Sequence, residues 1–525
     1  MSTNKHIDKI CIAVTVIALI ATTLFIFGEK LGIRKVVDED GEGYEAKSGF
    51  TGNDLNPGWD DAEATTITLT GDSAVISGDG AYTYNGKVVI ASAGRYVISG
   101  ELTNGSIIVD SDNSAKVFVK LNGVNVYCGD DAAFRVDQAD KVFLTLADNT
   151  ANSLESGETY SEEALSDNTG GTVFAHDDLT VNGNGSLAIT ASYKHGIDCN
   201  DKVVITGGDI MITAPQDGIH ANDGVNITGA SLTIRAEDDG ISGGESVLIA
   251  GGVISVDECY EGIEAETIEV TGGDITIMCS DDGINANGGS SGFGGMNGGF
   301  DGMNKDFGGN IGQRPGNMQD QSEGKAPEPG GMMPDDTGMQ TADSDTNEET
   351  WIHISGGDIT ILNNSGRDAD GLDSNGDIII SGGNIRISLT GSGSNNAIDY
   401  GSESGGVCEI SGGTVIACGG SSMAEPFSSS STQGSVLYMP GEESGDDVTV
   451  ALYDSAGKLL LSWDVPYSFT AVTISCNDLT PGSDYMINVG DRSETITLDE
   501  IAASYGEFAQ DMRGNRHGKG MGDKL

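Results

Sequence analysis

One phrase recurs along the chain and limits the fold more than any other feature: V-x-I-x-G-G-x-I-x-I, a few polar residues, then D-G-I. It reads VVITGGDIMITAPQDGIHAND from Val203, VNITGASLTIRAEDDGISGGE from Val225, VLIAGGVISVDECYEGIEAE from Val247 and IEVTGGDITIMCSDDGINAN from Ile268. Copies return from Ile352 and Ile378, a degenerate one begins at Cys408, and an upstream one starts at Leu179. From Val203 to Asn287 the period is about 22 residues. Each copy holds three short runs of alternating apolar residues, the signature of strands, separated by Gly-Gly and Asp-Gly turns that favour positive φ. Strands of three to five residues with a corner every seven or so describe one coil of a parallel β-helix per repeat, with Ile and Val stacked on their equivalents one coil away. A nonapeptide calcium roll has the wrong period, and an antiparallel sandwich would not repeat strands in one orientation.

The expected fold class is all-β: a right-handed parallel β-helix with a small C-terminal antiparallel β cap and an N-terminal transmembrane helix. Residues 1–28 form a cytoplasmic stub and signal anchor, and 29–60 a polar tether. Residues 61–175 form an N-terminal cap and first coils, and 176–420 the regular coils. Residues 288–350, rich in Gly, Met, Asn and Asp, interrupt the coils as a disordered insert. Residues 421–500, with a turn at Asp454–Gly457, form the C-terminal cap, and 501–525 a flexible tail. The anchor is Ile10–Gly28, an uncharged stretch long enough to span a bilayer, with no small-x-small cleavage site after it. Lysines and arginines flank both sides, so the positive-inside rule leaves its orientation open.

Acidic residues number 81 against 26 basic ones, a formal charge of −55. No basic stripe exists to neutralise phosphates, which excludes a nucleic-acid partner. The balance suits a cationic partner, or an anionic one bridged by a divalent metal. The eight cysteines include no CxxC pair, which speaks against zinc, and Cys199 and Cys279 replace alanines of neighbouring repeats, as small buried hydrophobes do.

Aligned on D-G-I, one column reads His195, Asp217, Asp239, Glu261, Asp282, Asp370 and Asn396. Three residues later comes a second: Asp198, His220, Ser242, Glu264, Asn285, Asp373 and Asp399. With coils about 4.8 Å apart, each neighbouring carboxylate pair costs roughly 3 kcal/mol at an effective dielectric near 20. A divalent cation bridging coils relieves that strain, and hard oxygen donors select Ca²⁺. Asp217, Asp239, Glu261, Asp282, Asp370, Asp373, Glu264 and Asp198 are the expected metal ligands. Asp before Gly is also good turn chemistry, but Glu261 is a poor turn residue that keeps the column acidic. Asp209, Asp274 and Asp358 make a further ladder, read as turn residues. Tyr193, Tyr260 and Tyr400 lie beside the columns, where they either stack on sugar rings or pack under turns. Arg367, three residues before Asp370, is the base a Ca²⁺-dependent polysaccharide lyase would use.

The run AHDDLTVNGNGSL over 175–187, LNGVNV over 121–126, DNTAN over 148–152 and the GGDI and DGI repeats together resemble a known family. It is the carbohydrate-binding parallel β-helix family of anaerobic Firmicutes, surface proteins that bind cellulose and polygalacturonate. The resemblance spans roughly residues 60–420. It implies a right-handed β-helix similar to pectate lyases, bound Ca²⁺, and adhesion to carbohydrate without demonstrated cleavage, and it fixes no ligand residues. The expectation is a monomeric, non-catalytic protein at the cell surface, anchored in the cytoplasmic membrane with its body outside. It attaches to acidic or plant-wall polysaccharide. A polysaccharide lyase and a structural surface scaffold are the alternatives.

Overall fold

The computed structural model describes residues 49–287, 350–365, 369–391 and 394–506. Along each repeat the alternation places every second side chain inside. In Asp209–Ala214 the residues Ile210, Ile212 and Ala214 are buried while Asp209, Met211 and Thr213 are exposed. Short strands of this kind cannot pair with themselves, so their backbone groups are satisfied by the next repeat. His195–Cys199 runs parallel to Ile219–Ala221 with Ile197 on Ile219 and Cys199 on Ala221. The same register continues through Ile241, Ile263, Ile284, Leu372 and Ile398. Two further parallel ladders run alongside. One passes through Lys202–Ile205 and Gly224–Ile227, the other through Asp209–Ala214 and Ser231–Ala236.

All three ladders face one hydrophobic core that extends from Ile67 to Phe427. Each fully buried Ile or Leu contributes roughly 1.5–3 kcal/mol. The cysteines behave as expected of small core residues: the seven described ones are free and buried.

The two glycine motifs do different jobs. The second glycine of Gly-Gly turns with positive φ, as at Gly208 (+98°) and Gly273 (+112°). The glycine of D-G-I does not. A Cβ on Gly240 would lie 2.6 Å from the Gly262 carbonyl oxygen and 2.7 Å from Val256 Cγ1. It is glycine because the next repeat passes too close for a side chain.

The expected fold class needs correcting. The expected right-handed parallel β-helix with a separate small C-terminal antiparallel cap is not the arrangement found, and the expected N-terminal transmembrane helix falls on residues outside those described. The described strands form one sheet of 33, largely parallel and wrapped barrel-like around the core, and one antiparallel sheet of four. Ser435–Met439, Ala471–Ser475 and Ala502–Gly506, expected in the cap and tail, belong to the large sheet. Ala471–Ser475 pairs antiparallel with Thr414–Gly419, and Ser435–Met439 pairs parallel with Ala502–Gly506. The cause is edge chemistry: Thr414–Gly419 would otherwise leave a row of unpaired N–H and C=O groups, and these strands cover it. Only Val448–Asp454, Leu459–Val465, Asp484–Val489 and Arg492–Thr497 stand apart. Their expected turn is present, with Asp454 Oδ1 accepting from the N–H groups of Ala456 (2.9 Å) and Lys458 (2.8 Å).

The two described α-helices, Gly52–Leu55 and Glu162–Ser166, are short, and no described helix is long and apolar enough to cross a membrane. Ile10–Gly28, the insert after Asn287 and Arg367 lie outside the described residues. The segment from Gly49, expected as part of a tether, is docked. Asp54 is buried, with Lys141 Nζ at 3.1 Å and the Thr180 hydroxyl donating at 2.5 Å, and Asn226 Nδ2 donates to the Gly49 carbonyl at 2.8 Å. Burial alone would raise the Asp54 carboxyl; Lys141 and the hydroxyl outweigh it and hold it below its ordinary value.

Candidate functional site

The D-G-I columns become two adjacent rows on one face. In the first row, successive glycine N–H groups donate to the carbonyl of the acidic residue one repeat on: Gly218 to Asp239, Gly240 to Glu261, Gly262 to Asp282 and Gly283 to Asp370. The second row sits on the outward-facing position of this ladder, where its residues are buried or half-buried. There Asp198 pairs with His220, His220 with Ser242, Ser242 with Glu264, Glu264 with Asn285, Asn285 with Asp373 and Asp373 with Asp399. Each is preceded by a buried Ile or Leu, so the pleat forces these polar side chains outward together.

The rows converge into groups whose carboxylate oxygens lie within 4.8 Å of one another. They are Asp217, Asp238 and Asp239; Asp239, Glu261 and Glu264; Glu261, Asp281 and Asp282; and Asp370, Asp373 and Asp399. Seven of the eight sequence-derived ligand candidates fall in these groups. Asp198 does not. It lies buried at the start of the second row, against Gly170, where a Cβ would sit 2.3 Å from its Oδ2. Asp238, Asp281 and Asp399 join the groups without having been singled out. Asp238 and Asp281 precede the aligned column by one residue, and Asp399 ends the second one.

Electrostatics follow from crowding under partial burial. Burial, with the Glu264 charge next, pushes Glu261 up to about 8. Burial also takes Asp370 to about 8 and, with Asp399 beside it, Asp373 to about 6. Asp239 is raised by burial and by its contact with Glu264. Asp217 runs the other way: its burial is outweighed by His195 and His220, whose Nδ1 atoms lie 3.1 and 3.0 Å from Oδ2, and its carboxyl stays well below the usual range.

Two buried amides complete the face. Asn285 Nδ2 donates to Glu261 Oε2 at 3.0 Å, but its Oδ1 has no partner although the residue is only 6% exposed. Asn396 accompanies Asp370, whose Oδ1 accepts the Asn396 N–H at 2.6 Å. Its own Oδ1 is likewise unpartnered at 2% exposure. Buried acceptors without a donor are costly and rare. A cation satisfies an amide oxygen and a carboxylate at once, and a spread of up to 4.8 Å suits oxygens bonded to one ion at about 2.3–2.6 Å. The carboxylates therefore offer the hard oxygen donors that suit Ca²⁺, with Asp370, Asp373 and Asp399 as one set and Asp239, Glu261 and Glu264 as another.

The three tyrosines separate. Tyr260 is 47% exposed, beside Asp281, which pushes its phenol up to about 12. Tyr193 packs on Tyr160 with ring centres 4.5 Å apart and planes tilted by 37°, and Tyr400 packs against the core. Among the basic residues described, Arg235 pairs with Asp257 at 3.2 Å and Arg386 with Asp358 at 2.5 Å, on the third ladder rather than on the acidic face.

Residues 84–267, which include the first half of the acidic face, match the profile of a family described as carbohydrate-binding domain-containing protein. A protein of that description from Acetivibrio thermocellus is 34% identical over 137 residues, which are 26% of this chain. The chain spans about half of that relative, 48% of its length. A solved structure, the polysaccharide lyase-like protein from C. thermocellum as a gadolinium derivative, aligns over 66% of this chain and 97% of its own. Its sequence identity is 21% and its TM-score 0.36.

Proposed function

We propose that this chain is a non-catalytic carbohydrate-binding protein of the cell surface. It attaches to acidic or plant-cell-wall polysaccharide, polygalacturonate or cellulose, through Ca²⁺ held on the acidic face. The observation that carries the reading is the pairing of crowded carboxylates with unpartnered buried amide oxygens at Asn285 and Asn396. Such a face repels a polyuronate on its own. With Ca²⁺ in place it presents a cation whose remaining positions accept a uronate carboxylate or sugar hydroxyls. The match of residues 84–267 to a carbohydrate-binding family supports the ligand class. Display outside the cytoplasmic membrane belongs to the same proposal and rests on the apolar stretch Ile10–Gly28. The metal part is tested by calorimetric titration of the metal-stripped full-length chain with Ca²⁺. Binding is expected in the wild type and weakened at least tenfold by Asp370→Asn and by Glu261→Gln. Equal affinity in all three would overturn it.

A further inference from the structure

The acidic face changes chemistry at its N-terminal end. The downstream groups offer only oxygens. At the beginning, two imidazoles and one carboxylate converge, drawn from both rows. His195 opens the first row, Asp217 follows it one repeat later, and His220 lies three residues further in the second row. The two rings stack with centres 4.8 Å apart and planes 22° from parallel. We propose that His195, Asp217 and His220 form a site for a borderline divalent transition-metal ion, sharing Asp217 with the first of the oxygen-only groups.

Three observations support it. The first is spacing. Both Nδ1 atoms lie 3.0–3.1 Å from the same oxygen, Asp217 Oδ2. Donors bound to one ion at about 2.0–2.2 Å are separated by roughly 3.0–3.4 Å along the edges of its coordination shell. The second is orientation. The other carboxylate oxygen, Oδ1, accepts the backbone N–H of Asp239 at 3.3 Å. That bond fixes the carboxylate with Oδ2 turned toward the two rings, which is how outer partners hold ligands ready for a metal. The third is chemistry. Imidazole is a ligand for zinc, cobalt, nickel and copper and a poor one for calcium. Asp198, the register neighbour of His220, adds a second buried carboxylate to the same row and favours a dication there. Two histidines and one carboxylate leave positions open for water or a carbohydrate oxygen. The absence of a CxxC pair speaks only against a thiolate site, so this site was hidden from cysteine spacing.

The test uses Co²⁺ as probe, titrated into the metal-stripped full-length chain and read by visible absorption. The site predicts ligand-field bands saturating at a single equivalent, with no thiolate-to-cobalt charge-transfer band. Zn²⁺ should abolish them, and millimolar Ca²⁺ should leave them. His195→Ala and His220→Ala should each lose the bands, and Asp370→Asn should keep them. Far-ultraviolet circular dichroism of each variant confirms that the fold is retained. No bands in the wild type, or bands unchanged in both histidine variants, would overturn the proposal. Because the readout needs neither Ca²⁺ nor polysaccharide, its failure is separate from failure of the adhesion reading.

Discussion

The backbone N–H of Asp370 donates to Oδ1 of Asp282 at 2.7 Å, although 88 residues separate the two. Asn396 does the same to Asp370, and Asp239 to Asp217. The acidic row therefore continues across the intervening chain as if Asp282 and Asp370 were consecutive repeats. In an uninterrupted repeat, Asn222 and Asp223 alone join Ile219–Ala221 to Gly224–Ile227. Joining Asn287 directly to Thr350 recreates that two-residue link. The shortened chain should unfold cooperatively with a midpoint within a few degrees of the parent, measured by thermal denaturation. Loss of the cooperative transition would show that residues 288–349 take part in the fold.

Crowded carboxyls give a definite pH dependence. Glu261 and Asp370 are raised to about 8 and Asp373 to about 6, against about 4 in an unfolded chain. Between those limits the native state holds more protons than the unfolded one, so stability falls as pH rises. Without metal, the melting temperature should therefore be higher at pH 5 than at pH 8. Ca²⁺ should reverse this, stabilising more at pH 8, where the carboxylates are ionised. A metal-free midpoint that rises from pH 5 to pH 8 would contradict the crowding described.

The D-G-I glycines are steric in origin, which makes Gly240→Ala informative. Its Cβ would press on the Gly262 carbonyl and Val256. The substitution should cost about 1–3 kcal/mol, the usual range for overpacking, read from chemical denaturation. Gly457, which has open space around it, should lose less on the same change from contacts, its cost coming from its positive φ of 82°.

Of the three tyrosines, Tyr260 alone is exposed, and the other two are half-buried. Tyr260→Ala should weaken polysaccharide binding by about fivefold to tenfold with stability unchanged, as loss of one stacking contact worth about 1 kcal/mol implies. Tyr400→Ala should lower stability, because that ring lies on the core. Affinity electrophoresis and thermal melts separate the two effects.

Much of this architecture is readable from the chain, and the limits are physical. Alternation in VVITGGDIMIT gives strands, and the recurrence of Asp217, Asp239, Glu261 and Asp282 gives the acidic row, because a fixed period in a parallel ladder maps sequence columns onto spatial rows. The C-terminal strands are read less well. SVLYM and TAVTISC alternate like any hairpin pair, and no local signal says that the edge at Thr414–Gly419 will recruit them. Asp238 and Asp281 escape a column alignment because they lean in from the preceding position. Asn285 and Asn396 stand in the columns, but that their amide oxygens are left without donors is a property of packing. His195 and His220 are in different columns, and only the stacking of repeats shows them meeting on Asp217.

The most direct test of the central claim is retention of the full-length chain on insoluble polygalacturonate and on cellulose, with Ca²⁺ and then with EGTA. The supernatant is read at 235 nm for unsaturated uronate products. The account predicts retention with Ca²⁺, release by EGTA and no rise in absorbance. Retention that survives EGTA, or no retention on either polymer, would contradict calcium-bridged adhesion, and a rise in absorbance would show cleavage where only binding is proposed.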